Sequence, residues 1–146
     1  FADGADADLA ELSGKMDRVL VDAPCSGTGA WRRSPDARWK LTPELLAGYI
    51  DAQNDVLARG AVAVRSGGRL IYVTCSVLPS ENEARIENFL ALRPDFSVAD
   101  WQVYWPEDVA APDCPTGGPM RLSPASTGTD GFFVCILERT GPAEAA

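Results

Sequence analysis

A chain of 146 residues with 46% hydrophobic residues has core enough for one domain, not two. It contains no histidine, which excludes Ser-His-Asp triads, Cys-His dyads and histidine-containing zinc sites. Its net charge of −8 argues by itself against a phosphate-rich partner, and no apolar run of about 18 residues is present to cross a membrane.

The opening Phe1-Ala2-Asp3-Gly4 has no basic apolar leader and no Met, so secretion is not signalled and the chain reads as part of something longer. Residues 3–14 are acidic and Ala-rich, expected as a loop or short helix. Arg18-Val19-Leu20-Val21 is a short β-rich run ending at Asp22, as in a strand buried on both faces of a parallel sheet. Pro24, Gly27 and Gly29 then enforce a loop.

Thr42-Pro43 is a helix start, with Thr as N-cap and Pro at the first helical position. Leu46, Tyr49, Ile50, Gln53, Val56, Leu57, Ala61 and Val64 recur at helical spacing, and Gly67-Gly68 is the expected stop. Arg69-Leu70-Ile71-Tyr72-Val73 is the second strand, ending at Thr74-Cys75. Ser80 and Glu83 have the spacing of a capping box, and Ile86, Phe89 and Leu90 follow as the buried face of a helix that Pro94 ends.

The order strand, loop, helix, strand, loop, helix builds a parallel sheet flanked by helices. Residues 105–130 are rich in Pro, Gly, Ser and Thr and are expected as a long loop, with a short strand near Met120 to Leu122. Gly131 to Glu138 is the expected final strand, and residues 141–146 are expected to be a disordered tail.

Four cysteines are present, at 25, 75, 114 and 135, and no two have the C-x-x-C spacing of metal or redox motifs. They are expected to be reduced thiols in a cytoplasmic protein without a metal. Cys25 and Cys75 each follow an apolar strand and precede turn residues. That places both at the carboxyl edge of the sheet, where open α/β folds bind ligands. The plain alternative for either is a small buried hydrophobe, and that reading is the stronger one for Cys114 and Cys135. Asp22 at a strand end either caps a turn or binds something. Arg32, Arg33, Arg38 and Lys40 are either a solvated face or a local phosphate-binding cluster. Gly27-Thr28-Gly29 fails as a nucleotide loop, because a third Gly at the dinucleotide spacing falls on Arg32 and the P-loop Lys is absent.

Four blocks carry a specific resemblance: Asp22-Ala-Pro-Cys25-Ser-Gly-Thr-Gly, Arg32-Arg33-Ser-Pro35-Asp36-Ala-Arg-Trp39, Gly68-Arg-Leu-Ile-Tyr72-Val-Thr-Cys75-Ser, and Asp130-Gly-Phe-Phe133. They resemble the RNA cytosine-5 methyltransferases of the Sun/Fmu type, in particular the bacterial ribosomal RNA small-subunit methyltransferase B group. DNA cytosine-5 methyltransferases lack the second cysteine.

The resemblance implies an α/β, partial Rossmann-like fold that uses S-adenosylmethionine, with a mostly parallel sheet and a final antiparallel strand. Residues 1–140 would be the C-terminal portion of the catalytic domain, with the cofactor loop upstream. It implies Cys75 as the nucleophile that adds to carbon 6 of cytosine, and Cys25 as an aid to the later elimination. Asp22 would contact the cytosine edge and lie near the methyl donor, and Asp3 would contact the cofactor. Pro24, Arg32 and Arg33 would contact the RNA, with ribosomal RNA favoured over transfer RNA. The half-sheet would leave an apolar edge open to self-association. The alternatives are a non-catalytic RNA-binding or assembly module, and a thiol redox or acyl-transfer enzyme.

Overall fold

Residues 9–140 are described by the computed structural model. Within them, strand β1 (Met16–Asp22) is followed by a 3-10 turn at Thr28–Ala30 and a four-residue helix α1 (Ala37–Lys40). Helix α2 (Pro43–Ala63) leads directly into β2 (Val64–Thr74), and α3 (Glu83–Leu92) into β3 (Phe96–Ala99). A 3-10 turn at Trp101–Tyr104, β4 (Met120–Leu122) and β5 (Phe132–Arg139) complete the order. The expected positions for Asp3 and for the 141–146 tail lie outside the described residues.

The sheet runs β1-β2-β5-β3, with β4 also paired to β5. The β1–β2 pair is parallel, and β5 returns antiparallel to β2 as expected. The other edge of β5 is shared: β4 pairs with its first residues and β3 with its last, both antiparallel. Sequence pattern missed β3, whose four residues carry too little alternation to stand out. Its Phe96 is nonetheless buried and meets Phe89 edge-to-face at 5.3 Å.

Helix α2 starts as the sequence dictates: the Thr42 hydroxyl accepts the Leu45 N–H at 3.2 Å. Its buried positions Gln53, Leu57, Gly60 and Ala61 lie one turn apart and face β1 and β2. Gly60 is needed for that approach. A Cβ there would sit 2.9 Å from both Val21 Cγ2 and Leu70 Cδ1. Leu57, Leu70, Tyr72, Ile86, Phe89, Phe133 and Leu137 complete one core. No helix among the described residues is long and apolar enough to cross a membrane.

Two helix boundaries differ from expectation. Helix α2 ends at Ala63 rather than at Gly67-Gly68, because Val64 is already extended and paired with Met16 of β1. The glycines instead serve a bulge between the Met16 and Arg18 pairings, where a Cβ on Gly68 would lie 2.9 Å from the Met16 carbonyl oxygen. Helix α3 begins at Glu83, and Ser80 forms no capping box with it. Its N-cap, Asn82, gives no side-chain bond to the helix. That side chain is spent on Thr74 and on the Ser76 carbonyl.

Three loops meet at the carboxyl edge of β1 and β2. The Gly29 N–H donates to the Cys75 carbonyl at 2.9 Å, and the Gly131 N–H donates to the Gly29 carbonyl at 3.0 Å. The approach is so close that a Cβ on Gly131 would stand 2.8 Å from Gly29 Cα, and one on Gly29 would overlap the Gly131 carbonyl. Both obstacles are backbone, which cannot rotate away. Gly29→Ala should therefore lower stability by about 2 kcal/mol or more, since overpacking against an unyielding neighbour costs this order. Gly48→Ala, where nothing lies within 4 Å, should raise it by about 0.5–1 kcal/mol through helix propensity. Urea unfolding of the two variants checks the contrast.

Candidate active site

Parallel strands β1 and β2 end side by side, with Asp22 opposite Val73. The chain therefore leaves both strands at the same edge, and the first residues beyond them include Cys25 and Cys75. Their sulfurs lie 3.5 Å apart. Both thiols are half-buried, neither sealed in the core nor free in solvent. Gly27 adopts a left-handed φ of 67°, and a Cβ on it would reach within 4.0 Å of Cys75 Sγ. Cys135 is fully buried in β5, a structural thiol as its mid-strand position implied, and Cys114 is half-buried in the long loop. Among the described residues no group of three His, Cys, Asp or Glu side chains is placed to hold a metal.

Burial pushes the Cys25 thiol up to about 12 from its ordinary value of 9.0, and the neighbouring Cys75 sulfur adds to the shift. Charging Cys25 would place an anion in a partly desolvated pocket beside a second sulfur. Cys25 therefore keeps its proton at neutral pH.

The thiols are held by a polar network that sequence reading did not find. Its centre is Glu81, fully buried. The Ser26 amide N–H donates to Glu81 Oε1 at 2.8 Å, and the Ser26 hydroxyl donates to Oε2 at 2.5 Å. The Ser76 hydroxyl donates to the same Oε2 at 2.5 Å. Gln53 of α2 donates from Nε2 to Oε1 at 3.1 Å and to the Pro24 carbonyl at 2.8 Å. Thr28 joins the loops again: its Oγ1 accepts the Val77 N–H at 2.9 Å and lies 3.1 Å from Ser76 Oγ. A buried carboxylate without such donors would cost several kcal/mol. Two signals for the network were present in the sequence: a glutamine inside an otherwise apolar helical stripe, and an acid between Ser80 and Asn82.

Asp22 is exposed at the end of β1. Beside it, Val19, Leu20, Val21, Val56, Gly60 and Arg59, which pairs with Asp55 at 3.6 Å, line a cleft of about 320 Å³. Pro24 is exposed, with its carbonyl fixed by Gln53. Arg32 and Arg33 are not held open as a free phosphate clamp. Arg32 Nε donates to Asp130 Oδ1 at 2.5 Å and Arg33 Nε pairs with Asp130 Oδ2, so both tie the first loop to the start of β5. Their guanidinium groups lower the Asp130 pKa. Both side chains remain more than half exposed, at 53% and 66%. Lys40 is paired with Asp36 at 2.6 Å, and Arg38 stacks beside Trp39 at 5.6 Å.

Comparison with known proteins places this geometry. The model of the 16S rRNA methyltransferase RsmB/F family matches residues 2–138. The ribosomal RNA small subunit methyltransferase B of Salmonella arizonae is 40% identical over 123 residues, covering 84% of this chain and 26% of that protein. The crystal structure of PH0851 is similar with a TM-score of 0.73 at 34% identity, over 86% of this chain and 27% of that one. NSun6 from Pyrococcus horikoshii, solved with SFG, shares the fold with a TM-score of 0.69 at 24% identity, over 92% of this chain and 33% of its own. This chain thus spans only a quarter to a third of each of these proteins. The architecture is an α/β, Rossmann-like fold shared with these structures. With two loop cysteines paired at the carboxyl edge and a family model matching nearly from end to end, the chain belongs to the 16S rRNA methyltransferase RsmB/F family.

Proposed function

We propose that this chain carries the reacting thiols of an RNA cytosine-5 methyltransferase acting on ribosomal RNA. The observation that carries the reading is the 3.5 Å approach of two half-buried thiols on neighbouring loops. Carbon 5 of cytosine is a poor nucleophile until a sulfur adds at carbon 6 and converts the ring to an enamine. That chemistry needs one sulfur as thiolate and a second group able to manage a proton. With Cys25 keeping its proton, the attacking sulfur is assigned to Cys75, as the family resemblance implies. The two sulfurs lie within hydrogen-bond reach of one another at 3.5 Å.

S-adenosylmethionine, when bound, supplies an electrophilic methyl group. The exposed Asp22 carboxylate at the end of β1 fits a cationic donor of that kind. Asp3 would add a further contact, by its place in the Ala-Asp-Gly motif. On the substrate side, Asp22 also accepts from the amino edge of the cytosine. The target base must leave its stack to reach the thiols. Pro24 borders its place, and the exposed faces of Arg32 and Arg33 contact the neighbouring phosphates. After methylation the C5–H and C6–S bonds break together: the proton passes to solvent water, the electron pair forms the C5=C6 bond, and the departing Cys75 sulfur is stabilised by the Cys25 thiol 3.5 Å away. The β1 edge has no partner strand among the described residues and leaves Leu20 69% exposed, so the rest of the sheet docks there.

In its native sequence context, the protein should form a covalent complex with RNA containing 5-fluorocytidine, mapped by peptide mass to Cys75. Cys75→Ser should reduce methylation to background. Cys25→Ser should still form the adduct but accumulate it with ordinary cytidine. Attachment at Cys25 would refute the assignment of the nucleophile, and undiminished function in Cys75→Ser would favour a non-catalytic RNA-binding module. Alkylation of native Cys25 by iodoacetamide should stay slow from pH 7 to 9 and accelerate only toward pH 12. Because the folded chain holds this proton more tightly than the unfolded chain, Cys25 contributes stability below pH 9 that is lost as pH rises toward 12. Cys25→Ser should flatten that alkaline decline.

A further inference from the structure

Glu81 has no part in the adduct chemistry, yet it binds both loops that carry the thiols. We infer that Glu81 is a positioning residue that sets the spacing of the two sulfurs through Ser26 and Ser76. The inference rests on the reading of Cys25 and Cys75 as partners in one reaction, although the spacing itself can be measured without any reaction.

Ser26 and Ser76 each directly follow one of the cysteines, so a shift of either serine carries its thiol along. Both hydroxyls donate to the same oxygen, Glu81 Oε2, at 2.5 Å, and their own oxygens lie 3.4 Å apart. The two loops cannot separate without breaking one of these bonds inside a buried site. Glu81 is in turn fixed from several sides. Gln53 of α2 holds its Oε1, and the Tyr72 hydroxyl of β2 donates to its backbone carbonyl at 2.8 Å. Its neighbour Asn82 accepts from Thr74 at 2.6 Å and donates to the Ser76 carbonyl at 2.9 Å. All four side-chain and backbone donors to the carboxylate are neutral, and three of them come from Ser26 and Ser76, the residues beside the thiols. A group serving helix stability alone would sit on the α3 cap, which Glu81 does not.

The test uses phenylarsine oxide, whose As(III) bridges two nearby thiols and releases one water, with no change of oxidation state. It is applied to the protein in its native sequence context, with folding checked by circular dichroism. The wild type should take up one equivalent across Cys25 and Cys75, located by peptide mass. Cys25→Ser should weaken uptake by about 100-fold, the loss expected when a two-point attachment becomes one-point. Folded Glu81→Ala should show a comparable loss, whereas Glu81→Gln, which keeps the reach and one acceptor oxygen, should stay within severalfold of wild type. The double variant Ser26→Ala/Ser76→Ala decides the matter where Glu81→Ala does not fold, and it should also lose bridging. Wild-type uptake in the deciding variant overturns the inference. In the methylation assay, Glu81→Gln should lower kcat more than it changes KM for RNA, and Glu81→Ala should lower kcat by about 100-fold, the scale of an ångström's misplacement. A wild type that bridges arsenic but methylates nothing would sink the reaction and leave the spacing result intact.

Discussion

A carboxylate taken wholly out of water must find hydrogen-bond donors, and that requirement organises this end of the molecule. Glu81 finds them on three separate segments: the loop after β1, the loop after β2 and helix α2. Without it the Ser26 amide N–H would lose this acceptor, and an unsatisfied buried donor is itself expensive. The arrangement is therefore mutually enforcing, since the loops close around the acid and the acid keeps them closed. Networks of this kind favour a single geometry because a partly satisfied version is worse than none.

The backbone contacts among Cys75, Gly29 and Gly131 reinforce the same closure from the other side. They bring the start of β5 against the loop after β1, where Asp130 takes both Arg32 and Arg33. The basic segment thus has a structural anchor at one end of each guanidinium and an open face at the other. A chain of net charge −8 can present a cationic surface in this way, because what a phosphate meets is the local field rather than the total.

Two cysteines with one sequence context each become chemically unequal once they share a pocket. Burial and the adjacent sulfur favour the protonated form of Cys25. On the proposed reading, a thiol that keeps its proton beside one that reacts is a workable division of labour in a chain without histidine. The fold supplies what an imidazole often would, a proton-bearing group at hydrogen-bond distance.

Much of this was legible locally. The runs ending at Asp22 and Thr74, the Thr42-Pro43 helix start and the final strand follow from period and turn chemistry, which act over a few residues. The paired placement of Cys25 and Cys75 followed too, because parallel strands end at one edge. Where prediction slipped, a distant partner overrode a local preference. Val64 left the helix to pair with Met16, Asn82 left its cap for Thr74, and β3 exists because β5 offers it an edge.

The sequence alone determined which strands carry thiols and at which edge they emerge. Only the tertiary structure decided that the sulfurs lie 3.5 Å apart, that Asp130 holds the arginines, and that Glu81 is a buried hub. The reason is physical. Periodicity records which face of an element is buried, but the donors to Glu81 come from positions 26, 53 and 76, and their convergence is a property of the packed chain.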